Sequence, residues 1–458
     1  MNEAKPFCIS KKEVWEAYKR VKENKGAAGV DDQSIEDFEK RLKKNLYKIW
    51  NRMSSGSYFP PPVRTVKIPK KNGGERKLGI PTVADRIAQQ VVKARLEPEV
   101  EPLFHADSYG YRPGKSALDA VGQARKRCWR YDWVLDLDIK SFFDTLSQDL
   151  LLRAVKKHAP EQWIILYIER WLRAPVQEED GRLVPRERGT PQGGVISPLL
   201  ANLFLHYALD RWLAVHYPQV PFERYADDVI AHCRTERQAQ EIRKAIATRL
   251  QSCGLELHPE KTKIVYCKDD SRKKTYPNEK FDFLGYTFRP RSSTNRQGKF
   301  FINFSPAVSN RAAKAIRDTF RSWKLPQRSD KAIEDLSRMF NPIIRGWIQY
   351  YGRYYRSALY LTMRKLDRDL ALWAKRKYKK LRQHLRRATH WIARLSRRAP
   401  ALFAHWQMGA RRGSMMGAVC AERLTYSSAR ASGCESPGLL TLTLLWINWR
   451  PAPMHPPG

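Results

Sequence analysis

Two adjacent aspartates, Asp227 and Asp228, lie between apolar stretches in RYADDVIAH, residues 224–232. Adjacent acids are common in turns, because a short carboxylate can bond to its own backbone. The flanking residues indicate a strand, a two-residue turn holding the two acids and a second strand. Carboxylates at a hairpin tip suit Mg²⁺, since hard cations prefer oxygen ligands. A metal site there requires at least one further carboxylate from elsewhere in the chain.

A third carboxylate is offered by WVLDLDI, residues 133–139. The stretch alternates as a strand does, so its aliphatic residues share one face and Asp136 and Asp138 share the other. Solvation or a helix cap is the ordinary explanation for an acid at a strand end, but two acids on one face of a central strand fit it less well. Three carboxylates can hold two Mg²⁺ ions about 3.5–4 Å apart, which would activate a 3′-hydroxyl and stabilise charge on a phosphoryl group. If neighbouring strands bring Asp138 to Asp227, the pattern predicts in-line nucleotidyl transfer.

The chain as a whole is strongly basic. Its 458 residues carry a formal net charge of +38. An excess of this size indicates a polyanionic partner, because ordinary protein surfaces mix both signs. No apolar run reaches the roughly 18–20 residues of a membrane span, and the charged residues 1–26 lack a signal-peptide core. We therefore expect a cytoplasmic, nucleoid-associated protein without a membrane partner.

The elements that position these acids follow from periodicity and turn residues. Apolar residues at three-to-four spacing predict helices through residues 1–60. Residues 61–82 are predicted to form two strands around the turn KNGG at 71–74. Further helices are predicted over 83–98, over 147–158, over the second half of 189–213 and over 235–253. Ser147 is the predicted N-cap of the second of these. Further strands are predicted over 261–267 and 281–290.

Eight motifs resemble, in order and spacing, those of a known family. Five of them resemble successive motifs of reverse transcriptases: DLDIKSFFD (136–144), GTPQGGVISPLLANLFL (189–205), RYADD (224–228), GLELHPEKTKIV (254–265) and FDFLGYTF (281–288). Three upstream motifs resemble segments of group II intron-encoded proteins: NKGAAGVD (24–31), VKIPKKNGGERKLGIPTVADR (66–86) and DSYGYRPGKSALDAV (107–121). The helical NPIIRGWIQYYGRYY (341–355) is similar to the maturase, or thumb, segment of that family. Eight motifs in order are a far more specific signal than YADD alone.

The resemblance implies roles at the acids themselves. Asp138 and Asp227 match the metal-binding acids, with Ile139 beside them as a further metal contact, and Asp228 matches the supporting acid. The implied cofactor is two Mg²⁺ ions per active site, for which Mn²⁺ can substitute. Tyr225 is expected to pack beneath the primer end.

The resemblance also implies residues around the incoming nucleotide. Phe143 matches the residue that stacks under the sugar and excludes a 2′-hydroxyl, although an ordinary core aromatic is the alternative. Gln192 matches a contact beside the template base. Arg76 matches the arginine that binds the triphosphate, since a guanidinium can clamp phosphate oxygens. Its lysine partner is Lys70 or Lys71.

Three further residues complete the expected site. Gly193 and Gly194 would let the backbone come close to nucleic acid. Lys261 lies where some polymerases keep a lysine that protonates the leaving pyrophosphate. In a basic chain such a lysine is more often simply solvated, so both interpretations stay open.

From about residue 305 to 390 the chain is predicted to be helical, with Arg and Lys interleaved with Trp and Tyr. Cations facing phosphate and rings facing bases are typical of RNA binding. The expected contacts are Arg345, Trp347, Tyr350 and Arg353. In the alternative the rings form the core of a helical bundle, and we expect both, with rings inward and cations outward.

The resemblance implies an α+β right-hand polymerase with an antiparallel palm sheet and an all-α thumb. The expected domains are an N-terminal extension with fingers (1–130), a palm (131–290), a helical thumb or maturase domain (291–390) and a tail (391–458). The tail offers Cys420 and Cys434 without a CxxC pair, so we expect no endonuclease, and residual DNA binding there is left open.

The expected function is an RNA-directed DNA polymerase that also binds its intron RNA as a maturase, supporting splicing and retrohoming. The expected partners are group II intron RNA, an RNA template with a DNA primer, target DNA and dNTPs, and a homodimer is left open. One alternative is a splicing cofactor without polymerase activity, which the intact acids disfavour. Another is a related enzyme recruited to defence or to CRISPR spacer acquisition, which PQGGVISP and the maturase-like helices disfavour.

Overall fold

The computed structural model describes residues 5–69, 75–295 and 297–409 of the chain. The helices are α1 Lys11–Asn24, α2 Ile35–Glu39, α3 Leu42–Ser54, α4 Val83–Val100, α5 Ala117–Cys128, α6 Phe142–Thr145, α7 Gln148–His158, α8 Gln162–Arg173, α9 Ser197–Leu205, α10 Arg211–His216, α11 Glu236–Ser252, α12 Asn310–Ser322, α13 Ile333–Tyr351, α14 Arg356–Lys377, α15 Leu385–Arg398 and α16 Trp406–Gly409. The strands are β1 Val63–Pro69, β2 Glu75–Ile80, β3 Trp133–Asp138, β4 Val176–Gln177, β5 Leu183–Val184, β6 Phe222–Tyr225, β7 Asp228–Cys233, β8 Lys263–Tyr266, β9 Phe281–Phe283, β10 Tyr286–Thr294 and β11 Phe300–Val308. A π-helical segment, His206–Asp210, joins α9 to α10.

The central sheet is antiparallel, with strand order β6-β7-β3-β8. Alternation along β3 sends Leu135 and Leu137 into one core, formed with the helices of the N-terminal half. Val134 points into a second core, formed largely by the C-terminal elements. The acids Asp136 and Asp138 share the face of Val134, as the sequence alternation predicts.

The N-terminal region holds a second sheet, with strand order β2-β1-β4-β5. Strands β1 and β2 pair antiparallel, which confirms the two predicted strands, while the predicted turn at 71–74 lies outside the described residues. Helix α4 runs past Pro98 to Val100, slightly beyond its predicted end. It packs against α1, and its buried residues belong to the same core as Leu135 and Leu137 of β3.

The C-terminal region begins with a third sheet, β11-β10-β9, and continues as helices α12 to α16. Strand β11 extends to Val308, so the helices begin slightly later than residue 305. Ser309 caps α12 by accepting from the Ala312 backbone N–H at 3.1 Å. Among the described residues, none of the helices has the length and apolar character needed to cross a membrane.

Candidate active site

The hairpin β6–β7 carries the paired acids, but its turn is shifted by one residue from the prediction. Tyr225 pairs with Asp228, so the two turn residues are Ala226 and Asp227, and Asp228 is the first residue of β7. Ala226 has a φ of 57°, the positive value that a tight hairpin turn requires. The two acids therefore differ in position: one lies at the tip and the other in the paired strand.

The strand register brings the third acid to this pair. Asp138 lies directly opposite Asp228 across the antiparallel pair of β3 and β7. Directly opposed residues have Cβ atoms about 4.5–5.5 Å apart. The predicted approach of β3 to this hairpin is thus confirmed for the backbone: Asp138 lies opposite Asp228, and Asp227 is the preceding residue in the turn.

Burial and the charges of neighbouring acids raise the pKa of two carboxyl groups at this site. Protein atoms around Asp228 desolvate its carboxyl although it reaches solvent, and together with the charges of Asp227 and Asp138 they raise its pKa to about 7. Burial, Asp228 and Asp138 likewise raise the pKa of Asp136 to about 7. Clustered hard carboxylates that repel each other are a donor set suited to Mg²⁺, because a bound cation removes the repulsion.

Within the described residues, no three His, Cys, Asp or Glu side chains are gathered in a ready-made metal-ligand arrangement. Instead, Lys261 Nζ lies 2.9 Å from Asp138 Oδ2 as an ion pair. The side chain of Ile139 is buried, and its backbone forms a bridge with Leu257, so only main-chain atoms of Ile139 could face an ion. The contact with Asp138 puts Lys261 next to the acids. Its role at the leaving pyrophosphate stays a prediction.

The loop GTPQGG packs against the residue predicted to select the sugar. Thr190 donates its backbone N–H to the Phe143 carbonyl at 2.9 Å. The Phe143 side chain is 8% exposed and lies against Phe142, with ring centroids 5.3 Å apart. Phe143 is thus mainly a buried ring, and its predicted role at the sugar depends on the small edge that remains exposed.

The glycines of that loop lie against other parts of the protein. Gly193 has a φ of 125°, and a Cβ there would lie 2.5 Å from the Gly79 carbonyl oxygen of β2. Gly79 also donates its N–H to the Gln192 carbonyl at 2.8 Å. At Gly194 a Cβ would meet Ser197 Oγ at 2.6 Å. The described contacts give both glycines a structural reason within the protein, and their approach to nucleic acid stays a prediction.

Of the residues predicted to bind the triphosphate, the structure describes only the backbone of Arg76. Arg76 pairs with Ile68 in the register of β1 and β2, and its side chain is not described. Lys70 and Lys71 lie outside the described residues. Because β2 is bonded to the Gln192 loop through Gly79, the backbone that carries Arg76 leads directly to the loop.

Sequence reasoning gave no role to a buried acid that supports this loop. Asp85 of α4 accepts hydrogen bonds from Tyr58 Oη at 2.9 Å, Trp171 Nε1 at 2.7 Å and Gln89 Nε2 at 2.9 Å. Gln89 in turn accepts from the Val195 backbone N–H at 2.8 Å. Burial, opposed by these bonds, raises the pKa of Asp85 to about 6. In the sequence Asp85 is one of three acids in α4, and its place in the first turn is typical of any helix start.

The predicted RNA contacts separate into two groups. Trp347 is half-buried against Phe320, with ring centroids 5.5 Å apart, and Tyr350 Oη donates to the Leu284 carbonyl at 2.8 Å. Arg345 and Arg353 are exposed. This bears out the expectation of rings inward and cations outward, and the two rings chiefly hold the bundle together.

Comparisons with known proteins agree with this arrangement. A family model for reverse transcriptase (RNA-dependent DNA polymerase) matches residues 68–288, and one for the group II intron maturase-specific domain matches 313–391. Protein YkfC of Escherichia coli K12 is 32% identical over 299 residues, covering 56% of this chain and 77% of that protein. The group II intron-encoded protein LtrA of Lactococcus lactis is 32% identical over 261 residues, covering 56% of this chain and 42% of that protein.

Likeness among solved structures is weaker. A telomerase from Candida albicans aligns with 82% of this chain and 67% of its own, at 12% identity and a TM-score of 0.43. The assignment therefore rests on the sequence matches and on the α+β right-hand arrangement of fingers, antiparallel palm and helical thumb. On that evidence the chain belongs to the family of group II intron-encoded reverse transcriptases, and it is an RNA-directed DNA polymerase by class.

Proposed function

We propose that the chain copies RNA into DNA by two-metal-ion nucleotidyl transfer at Asp138, Asp227 and Asp228. The observation that carries this proposal is the register of β3 and β7, which sets Asp138 opposite Asp228 with Asp227 in the adjoining turn. The raised pKa of Asp228 supports it, since the raise comes partly from the two neighbouring acids. We also propose the domain bounds: fingers over residues 1–130, a palm over 131–290 and a thumb over 291–390.

Different residues of the chain have different roles in the proposed reaction. Bound Mg²⁺ would make the primer 3′-hydroxyl a better nucleophile and stabilise charge on the phosphoryl group. The three acids hold the metals, and Ile139 contributes at most a main-chain oxygen. Lys261 would donate a proton to the leaving pyrophosphate, and its contact with Asp138 supports this role.

The nucleotide and primer contacts are proposed from the same surroundings. Arg76, with Lys70 or Lys71, holds the triphosphate from the β1–β2 hairpin. Gln192 orients the incoming dNTP and Phe143 limits the sugar to deoxyribose. The loop that carries Gln192 is held by the bond from Gly79 of β2 and by the bond from Thr190 to Phe143, which supports a fixed position for both residues.

A maturase role is proposed for the C-terminal helices, together with support for intron splicing and retrohoming. Arg345 and Arg353 are exposed there among many cations, which suits the phosphates of a structured intron RNA. Target DNA, nucleoid association and a homodimer remain predictions of the same account. RNA affinity should fall with a slope of about −0.7 to −0.9 per neutralised phosphate in log K against log salt.

The test is primer extension on an RNA template with Mg²⁺ and dNTPs. We expect extension by the wild type, loss in Asp227→Ala, and wild-type activity in Glu241→Ala, which removes an exposed carboxylate of α11. RNA binding is measured on the same samples. A folded wild type that binds RNA but does not extend the primer would contradict the polymerase and favour a splicing cofactor.

A further inference from the structure

A buried ion pair lies directly behind the catalytic turn. The side chains of Arg224 and Asp210 are both fully buried. Arg224 Nε donates to Asp210 Oδ1 at 2.7 Å, and its Nη2 donates to Oδ2 at 2.6 Å, as a two-pronged pair. Its Nη1 donates to Asn202 Oδ1 at 2.9 Å and to the Ala226 carbonyl at 3.0 Å. The guanidinium thus connects a helix acid to the backbone of the turn that carries Asp227.

The turn is also held from its other side. Asn202 Nδ2 donates to the Gly110 carbonyl at 2.7 Å. Gly110 lies so close to the turn that a Cβ there would be 2.4 Å from the Ala226 nitrogen. The adjacent segment runs beside β6 as a short parallel strand, since Arg224 donates its N–H to Asp107 O and Tyr109 donates its N–H to Arg224 O. Ala226 is therefore enclosed by backbone, with no room to shift toward Gly110.

A local irregularity of the helix aligns the two partners of Arg224. Asn202 and Asp210 are eight positions apart, and in a continuous α-helix such residues are offset by about 80° around the axis. The intervening segment His206–Asp210 is π-helical, and its wider turn reduces that offset. Both side chains consequently reach the same guanidinium. π-Helical turns are frequent at functional sites.

We infer that Arg224, Asp210 and Asn202 form a positioning unit that fixes the Ala226 carbonyl and so sets the direction in which Asp227 presents its carboxylate to metal. None of the three contacts substrate. The inference rests on the proposed role of Asp227 as a metal ligand, and it makes the metal affinity of the site depend on a buried ion pair. Only arginine can satisfy Asp210, Asn202 and Ala226 at once, because its planar fork carries five donors.

Glu223, the preceding residue of β6, provides an internal control. It is also fully buried and charged, and it pairs with Arg127 at 2.5 Å and with His232 at 2.6 Å. The side-chain hydrogen bonds of Glu223 go to Arg127 and His232, which lie outside the turn. A variant at Glu223 therefore disturbs the same strand and a comparable buried charge without releasing Ala226.

The experiment compares Arg224→Lys, Asn202→Ala and Glu223→Gln with the wild type, using Mn²⁺ binding followed by electron paramagnetic resonance and Mg²⁺ titrations of primer extension. Groups that orient metal ligands typically change metal affinity about 10–100-fold. We expect a rise of that size in the half-saturating Mn²⁺ and Mg²⁺ concentrations for Arg224→Lys, and a smaller rise for Asn202→Ala. The KM for dNTP at saturating metal should stay near wild type, and Glu223→Gln should bind Mn²⁺ as the wild type does.

Asn202→Ala leaves the ion pair between Arg224 and Asp210 intact. Its Mn²⁺ affinity therefore tests the positioning role if Arg224→Lys does not fold. Wild-type Mn²⁺ affinity in the folded variants, or an equal loss in Glu223→Gln, would overturn the positioning role. A wild type that binds Mn²⁺ through Asp227 but does not extend a primer would contradict the proposed polymerase alone. The Mn²⁺ comparison among the variants would still test the positioning unit in that case.

Discussion

The palm hairpin and the helical C-terminal bundle use charge in opposite ways. In the palm, a single strand register sets Asp138 opposite Asp228, and their mutual repulsion is kept in the fold. In the bundle, rings such as Trp347 pack inward and cations such as Arg353 are exposed. Under the proposed function, catalysis depends on a few individually placed atoms, whereas RNA binding is distributed over many interchangeable charges.

The largest effect should come from a metal-binding acid. Asp138→Asn keeps the size of the side chain but removes one negative charge that faces Asp228, so we expect primer extension to fall about 1,000-fold, or roughly 4 kcal/mol in the barrier. RNA affinity should stay the same or rise slightly, because the net positive charge increases. Single-turnover extension and filter binding of the same preparations measure both quantities.

The comparison would fail if Asp138→Asn lost RNA binding as strongly as extension. That result would mean that the palm acids support the RNA-binding surface itself. Asp318→Asn, which changes an exposed acid of α12, serves as the matched control and should leave extension unchanged.

The next effect concerns the rings of the bundle. Trp347→Ala removes a half-buried ring that packs against Phe320 and Trp323, and we expect the free energy of unfolding to fall by roughly 2–4 kcal/mol. The neighbouring exposed Arg345→Ala should change it by less than about 0.5 kcal/mol. Thermal unfolding of the two variants separates ring from cation. Equal destabilisation by both would contradict the inward and outward division.

A third effect distinguishes a structural acid from the catalytic ones. The folded-state pKa of Asp85 is about 6, above its ordinary value of 3.8, so between these values the unfolded chain ionises while the folded one holds its proton. Stability from this group is present at low pH and is lost as pH rises through about 4 to 6, a loss of roughly 3 kcal/mol. Above pH 6 the loss is complete.

The variant Asp85→Asn tests this sign. Asparagine does not titrate, so only the wild type should lose stability from this group as pH rises from 4.5 to 6.5. The unfolding free energy of the wild type should therefore fall relative to that of the variant over this range. Chemical denaturation at several pH values measures it. A difference that is independent of pH would show that Asp85 keeps an ordinary pKa in the fold.

The smallest effect is that of one exposed cation. Arg353→Ala should weaken RNA binding modestly and reduce the salt slope by about one neutralised phosphate, or 0.7 to 0.9. Extension at saturating RNA should be unchanged. Binding isotherms between 50 and 300 mM salt give the slope. Over this range the Debye length falls from about 14 Å to about 6 Å. An unchanged slope would exclude Arg353 from the RNA surface.

Much of this fold follows from local sequence patterns. The alternation of β3 predicts that Asp136 and Asp138 share a face, and Ser147 predicts the start of α7, where it accepts from the Leu150 N–H. The hairpin at 224–232 is also predicted, although its turn is one residue earlier than expected. These features depend on neighbours a few positions away, where side-chain periodicity and capping act directly.

What the sequence could not give depends on contacts between distant segments. The pairing of Arg224 with Asp210 requires a π-helical turn that no local pattern reveals. The close approach of Gly193 to Gly79 is set by how β2 packs against the loop, and no local pattern reveals it. Asp85 lies in the first turn of α4, where an acid is ordinary, and only tertiary packing supplies its donors Tyr58 and Trp171.

The central claim is that the three acids, brought together by one strand register, catalyse DNA synthesis on RNA. The most direct measurement is single-turnover incorporation of one dNTP on an RNA template, started by adding Mg²⁺ to wild type or Asp227→Ala already saturated with primer and template. The account predicts rapid incorporation by the wild type and none by the variant, with equal binding of the primer and template. Incorporation by Asp227→Ala at the wild-type rate would contradict it.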